Sequence, residues 1–130
     1  MDTDEHRLNA LTQRIIGCAY RVANNLGPGY LEKVYKKALG IEFRKAGMRY
    51  EREVPLTVLY DGEVVGEYFA DLVVESKVLI EVKHAKGLDD AHMAQCLNYL
   101  TTTGLPICLL INFGRATIEV RRLVGRSFPS

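Results

Sequence analysis

The chain contains no tryptophan, no internal repeat and no low-complexity tract. No apolar run approaches the roughly 20 residues that a bilayer-spanning helix needs. The opening segment, Met1-Asp2-Thr3-Asp4-Glu5, lacks the basic start and apolar stretch of a signal peptide. A cytoplasmic location and no membrane partner are therefore expected. Only three cysteines occur, Cys18, Cys96 and Cys108, far apart and without the paired spacing of a zinc site. Each falls in an apolar pattern and reads as a buried, reduced thiol. Neither sign of charge dominates, since 17 Lys and Arg against 16 Asp and Glu leave a formal net charge of +1. No global field draws the molecule to nucleic acid, so a nucleic-acid function needs a local basic surface. A Gly-rich phosphate loop of the Walker type and a Gly-x-Ser-x-Gly elbow are also missing. Ser76, Ser127 and Ser130 sit in a turn and a tail. With 130 residues, 48% of them hydrophobic and 25% charged, the chain suits one compact domain spanning residues 1–130.

Periodicity supplies the elements. Thr3 is a plausible N-cap, with Asp4 and Glu5 in a favourable first turn. Leu8, Leu11, Ile15, Cys18, Ala19, Val22 and Leu26 then recur at helical spacing. Gly27 predicts a left-handed cap, and Pro28 prevents continuation. A second helix runs from after Gly29 to about Ala46, where Gly47 stops it. Val54 to Tyr60 predicts a strand and Asp61-Gly62 a two-residue hairpin turn. Val64 to Val74 predicts a second strand, bent at Gly66, and Val78 to Lys83 a third. A helix from Asp89 or Asp90 to Thr103 follows, ended by Gly104. Ile107 to Ile111 reads as a strand buried on both faces, and Thr117 to Arg122 as an edge strand. Helices before and after a hairpin, then a buried strand, predict an α/β three-layer sandwich with a central mixed sheet.

Chemistry gathers in the hairpin. If Glu75-Ser76-Lys77 is a three-residue loop, Val74 pairs with Val78 and Asp71 falls opposite Glu81. Glu81 and Lys83, two apart on a strand, share a face. Adjacent carboxylates repel and raise a pKa unless a cation joins them. A hard divalent ion such as Mg²⁺ suits oxygen ligands of this kind. The alternative is that Glu81 and Lys83 are exposed and Asp71 merely pairs with Lys83. On the last helix Leu88, His92, Gln95 and Tyr99 share a stripe, and a Gln and a Tyr one turn apart can hydrogen-bond a phosphate or hold a lysine. Stitching helix to sheet is the plainer role. His92 and Cys96 are one turn apart, but nothing supplies the other ligands of a metal site.

Gly29-Tyr30-Leu31-Glu32-Lys33-Val34-Tyr35 resembles the signature of the GxxExxY proteins, a branch of the PD-(D/E)XK nuclease-like superfamily. The resemblance continues through Asp71, Glu81-Val82-Lys83, Gln95 to Tyr99, and Leu110-Ile111-Asn112-Phe113-Gly114. It implies a restriction-endonuclease-like core and a metal-dependent phosphodiester hydrolase acting on DNA or RNA with Mg²⁺ or Mn²⁺. It further implies Asp71, Glu81 and the Val82 carbonyl as metal ligands, with Lys83 orienting the attacking water or stabilising charge on the phosphate. Glu32 is implied to face the metal site, directly or through water, although a surface Glu32–Lys36 pair is the plainer account. Gln95 and Tyr99 border the site in related branches. Two positions depart from the family pattern: Ala23 replaces a usual His, and Phe69 a usual Arg two residues before the strand Asp. Phe69 predicts that a cation near the site is missing.

Three functions remain in play: the nuclease, a nucleic-acid or protein-binding module that kept the fold, and a hydrolase of small phosphate esters. Lys33, Lys36, Lys37, Arg44, Lys45, Arg49, Arg52, Lys86, Arg115, Arg121, Arg122 and Arg126 are the local basic residues available to a phosphate backbone. The Thr117–Arg122 edge and the exposed helix sides are places where a homodimer could form.

Overall fold

The computed structural model describes residues 3–125, which leaves Arg126, Ser127 and Ser130 outside the described residues. Two helices, α1 (Thr3–Leu26) and α2 (Glu32–Lys45), precede strands β1 (Tyr50–Tyr60), β2 (Glu63–Val74) and β3 (Val78–Lys83). Helix α3 (Asp90–Thr103) then crosses to β4 (Ile107–Asn112), and β5 (Glu119–Val124) follows. The five strands lie in the order β1-β2-β3-β4-β5. Only β3 and β4 are parallel, joined by the α3 crossover, so the sheet is mixed.

Local chemistry sets the boundaries. Gly27 (φ 70°) and Gly104 (φ 73°) adopt the left-handed conformation that ends α1 and α3. Asp61 and Gly62 both have positive φ, as a hairpin turn matching strand twist requires. The register slips between Val58 and Leu59, leaving Val65 as the extra residue of a bulge beside Gly66. β1 begins four residues before the expected Val54, and β5 is displaced two residues C-terminal of the expected Thr117–Arg122. Asp89 caps α3: its side chain accepts from His92 N–H while His92 Nδ1 accepts from Asp89 N–H.

Helices cover both faces, making three layers. Ile15, Cys18, Tyr35, Leu39 and Phe43 from α1 and α2 pack on Leu72, Val74, Ile80, Leu109 and Ile111. On the other face Cys96, Tyr99 and Leu100 of α3 meet Leu79, Cys108 and Leu110. The six residues of β4 are all buried, as its unbroken apolar run predicts. The three cysteines are buried free thiols. A hydrogen bond donated by the Cys108 thiol to Cys96, together with burial, pushes the Cys108 pKa well up and keeps it protonated.

One irregularity matters for the site. Tyr50, Leu72 and Val74 pack on the α1/α2 side, whereas Val54, Leu56 and Ala70 pack on the α3 side. The even-numbered residues of β1 and β2 therefore change faces between Arg52–Leu72 and Val54–Ala70. Glu53, a non-glycine residue at φ 51°, lies at the switch, across from Asp71.

Candidate functional site

The loop Glu75-Ser76-Lys77 has three residues, and Val74 pairs with Val78. The β2–β3 ladder runs as far as Leu72–Ile80 and stops there. At the next position side chains take the ladder's place. Asp71 N–H donates to Glu81 Oε2 at 2.9 Å, and Val82 N–H donates to Asp71 Oδ2 at 2.7 Å. Asp71 and Glu81 are thus brought together in the predicted register, but by strands that part rather than by a continuous hairpin. Val82 enters through its N–H.

Glu81 is only 4% exposed. Burial, and then repulsion from the Asp71 carboxylate, push its pKa up from 4.5 to about 8, against partial relief from the Asp71 N–H bond and then from Lys83 and Lys36. This is the mutual repulsion that the sequence predicts. Its Oε2 accepts the Asp71 N–H. A crowded carboxylate pair of this kind fits a divalent cation, which would add positive charge to that already supplied by neighbouring lysines.

Lys83 is half-buried, and its Nζ donates to Gln95 Oε1 at 3.1 Å. The plainer alternative, an exposed Lys83 paired with Asp71, is overturned on both counts. Tyr99 is 8% exposed, and burial with the charges of Glu81 and Asp71 pushes its hydroxyl pKa up. Gln95 and Tyr99 of α3 therefore stand over β3. Glu32, at the start of α2, approaches from the other layer: its Oε2 accepts the His84 N–H at 3.2 Å, one residue past Lys83.

Lys36 is the residue that sequence reasoning missed. Its Nζ lies 3.2 Å from Asp71 Oδ1 and 3.0 Å from Glu53 Oε1. The ammonium that the plainer account of Glu32 pairs with that residue at the surface instead neutralises Asp71. Burial opposes its charge, but Glu53 and Asp71 outweigh that and hold its pKa above the ordinary lysine value. The expectation that Phe69 leaves the site without a nearby cation is corrected: Phe69 is 57% exposed, and Lys36 serves from another element. The signal was faint, namely a lysine one turn beyond Glu32 on the same helix.

Two quoted motifs prove architectural. Tyr35 is fully buried, stacks on Phe113 at 4.6 Å, and donates its hydroxyl to Gly27 carbonyl at 2.6 Å. It fixes the turn between α1 and α2, and so the start of the helix that carries Glu32 and Lys36. Asn112 is also fully buried. It accepts from Ala85 N–H and Gly114 N–H and donates to Ala85 carbonyl and Glu119, clamping the chain just after Lys83. Gly114 must lack a side chain, because a Cβ there would collide with the Ala85 backbone. Among the described residues no group of three or more His, Cys, Asp or Glu is assembled, and His92 is taken up by its capping role.

The family model of the PD-(D/E)XK nuclease superfamily matches residues 9–123. No curated protein and no solved structure matches. The chain belongs to the PD-(D/E)XK nuclease superfamily, and its mixed sheet between helices has the architecture of the restriction-endonuclease-like core. Among the described residues no helix is long and apolar enough to cross a membrane.

Proposed function

We propose that this chain is a single-domain nuclease of the GxxExxY branch that hydrolyses phosphodiester bonds in DNA or RNA with Mg²⁺ or Mn²⁺. The observation that carries the reading is the close pair of half-buried Asp71 and buried Glu81, with Lys83 held beside it by Gln95, in a chain of a nuclease superfamily. Asp71, Glu81 and the Val82 carbonyl would hold the cation. Once bound, the cation would lower the pKa of a water and neutralise charge developing on the phosphate. Gln95 keeps the Lys83 ammonium from folding back on the carboxylates. Lys83 is then free to donate to the attacking water or to a phosphate oxygen, as a compact mobile charge does well. Tyr99, its hydroxyl still protonated at neutral pH, is a further donor toward the substrate. Glu32 orients the strand end at His84, and through it Lys83.

A second reading draws on Lys36, which already satisfies Asp71 with an internal cation. On that reading the chain is a module that binds nucleic acid or a protein and turns over weakly or not at all. The deciding assay is cleavage of single- and double-stranded DNA and RNA with Mg²⁺ or Mn²⁺, comparing wild type with Asp71→Ala and Lys83→Ala. A nuclease loses at least about 100-fold in either variant, and all activity in chelator. Cleavage that survives both substitutions removes these residues from the mechanism. Folded wild type that cleaves nothing supports the binding module.

A further inference from the structure

A cleft of about 630 Å³ opens between the β1–β2 arm and α3, and it begins at the candidate site because Gln95 and Tyr99 form its inner end. Its walls continue outward along Tyr68 and Gly66 on one side and Ala94, Asn98, Thr101 and Thr102 on the other. Two structural details already described create it. The face switch at Glu53 turns Tyr68 toward α3, where its ring lies 5.8 Å from that of Tyr99. The missing Cβ of Gly66, next to the bulge, leaves room for the Tyr68 ring to lie against the strand. Tyr68 remains 48% exposed, so much of the ring is open to the cleft.

The lining decides the class of ligand. No lining residue carries a charge, while amide and hydroxyl groups are present at Gln95, Asn98, Thr101 and Thr102. A phosphate would find no cation there. The arm carries Glu51, Glu53, Asp61, Glu63, Glu67 and Asp71 against the single cation Arg52, an acidic excess that disfavours a sugar–phosphate backbone inside the cleft. A flat, uncharged group bearing hydrogen-bond donors and acceptors along one edge fits instead. We infer that the cleft seats an unpaired nucleobase next to the scissile phosphate, stacked on Tyr68 with its edge read by Asn98, so that the substrate is single-stranded or locally unpaired. This rests on the nuclease reading and narrows its substrate. Stacked bases inside a duplex do not reach such a cleft, whereas unpaired bases characteristically stack on aromatic side chains.

The test is equilibrium binding of 2-aminopurine-labelled oligonucleotides to the full chain with Ca²⁺ in place of Mg²⁺, followed by fluorescence and anisotropy. The probes, each also carrying a 5′ dye for the anisotropy readout, are a single strand with one 2-aminopurine, the same strand abasic at that position, and a blunt duplex. Single strand binds tighter than duplex, and its 2-aminopurine signal changes on stacking. Tyr68→Ala weakens it about 5- to 150-fold, the range of a lost base–aromatic stack. Tyr68→Phe restores it, and the abasic strand is indifferent to all three forms. Ala94→Trp, on an exposed helix position, fills the cleft without touching Tyr68 and weakens the single strand alike. Oligonucleotide binding that ignores Tyr68→Ala and Ala94→Trp, or that prefers duplex, overturns the inference while leaving the nuclease reading standing. Folded wild type that binds no oligonucleotide overturns both.

Discussion

Glu81→Gln replaces a buried carboxyl with a neutral amide of nearly the same shape, and the size of its effect follows from the site. Burial and the Asp71 carboxylate raise Glu81 from 4.5 to about 8. Between those values the folded chain keeps a proton that the unfolded chain releases. Stability is therefore highest on the acid side and falls as pH rises through the window. Below it both states are protonated; above it both are ionised, and the whole cost of burying the charge is felt. From about pH 5 to pH 8 the window spans about three units at about 1.4 kcal/mol each, or roughly 4 kcal/mol. Urea denaturation followed by circular dichroism, in chelator at four pH values, measures this slope. Wild type should lose most of that amount, and Glu81→Gln should lose little. Adding Mg²⁺ at pH 8 should restore wild type and leave the glutamine variant unchanged, since metal binding requires the deprotonated carboxylate. A wild-type curve flat over this range, or an equal slope in the variant, would refute the assigned burial and crowding.

Three other substitutions test neighbouring parts of the argument. Lys36→Met should destabilise the chelator-treated protein by about 1–3 kcal/mol, because two carboxylates lose a charged donor. It should also move the midpoint of the Glu81 pH window upward, because Lys36 holds that pKa down. Asn112→Ala leaves the Ala85 and Gly114 N–H groups without partners and should cost about 3 kcal/mol or more, visible in thermal unfolding and as faster amide exchange at Ala85. Tyr35→Phe keeps the stacking but loses the hydroxyl bonds to Gly27 and Tyr30, at about 1–2 kcal/mol, and should speed proteolysis between Gly27 and Leu31.

Patterns of near neighbours were legible in the sequence. The left-handed cap at Gly27, the helix end at Gly104, the Asp61-Gly62 turn and the Val74–Val78 register each depend on a few adjacent residues, and each stands as read. Asp71 and Glu81 meet because that register is short-range. What was not legible depends on partners far along the chain. Lys36 and Asp71 are 35 residues apart, and helical spacing alone pointed the lysine at Glu32. Glu53 is an ordinary residue to any propensity scale, so the switch of faces it accompanies had no local sign. The stated alternation of hairpin side chains holds along β3 and fails in β2 at Asp71, where the strands part.

The clamp at Asn112 divides responsibility for Lys83. β3 and β4 run side by side, yet the chain between them travels through α3, and such a long detour is a weak way to fix a register. By gripping Ala85 from the end of β4, Asn112 makes the two strand ends a single splice that does not depend on the crossover. The backbone position of the lysine thus belongs to the sheet, and the aim of its ammonium belongs to α3 through Gln95. Changes in crossover length or helix sequence can retune where the charge points while its anchor stays put, a separation that lets the ammonium be re-aimed without rebuilding the carboxylate pair.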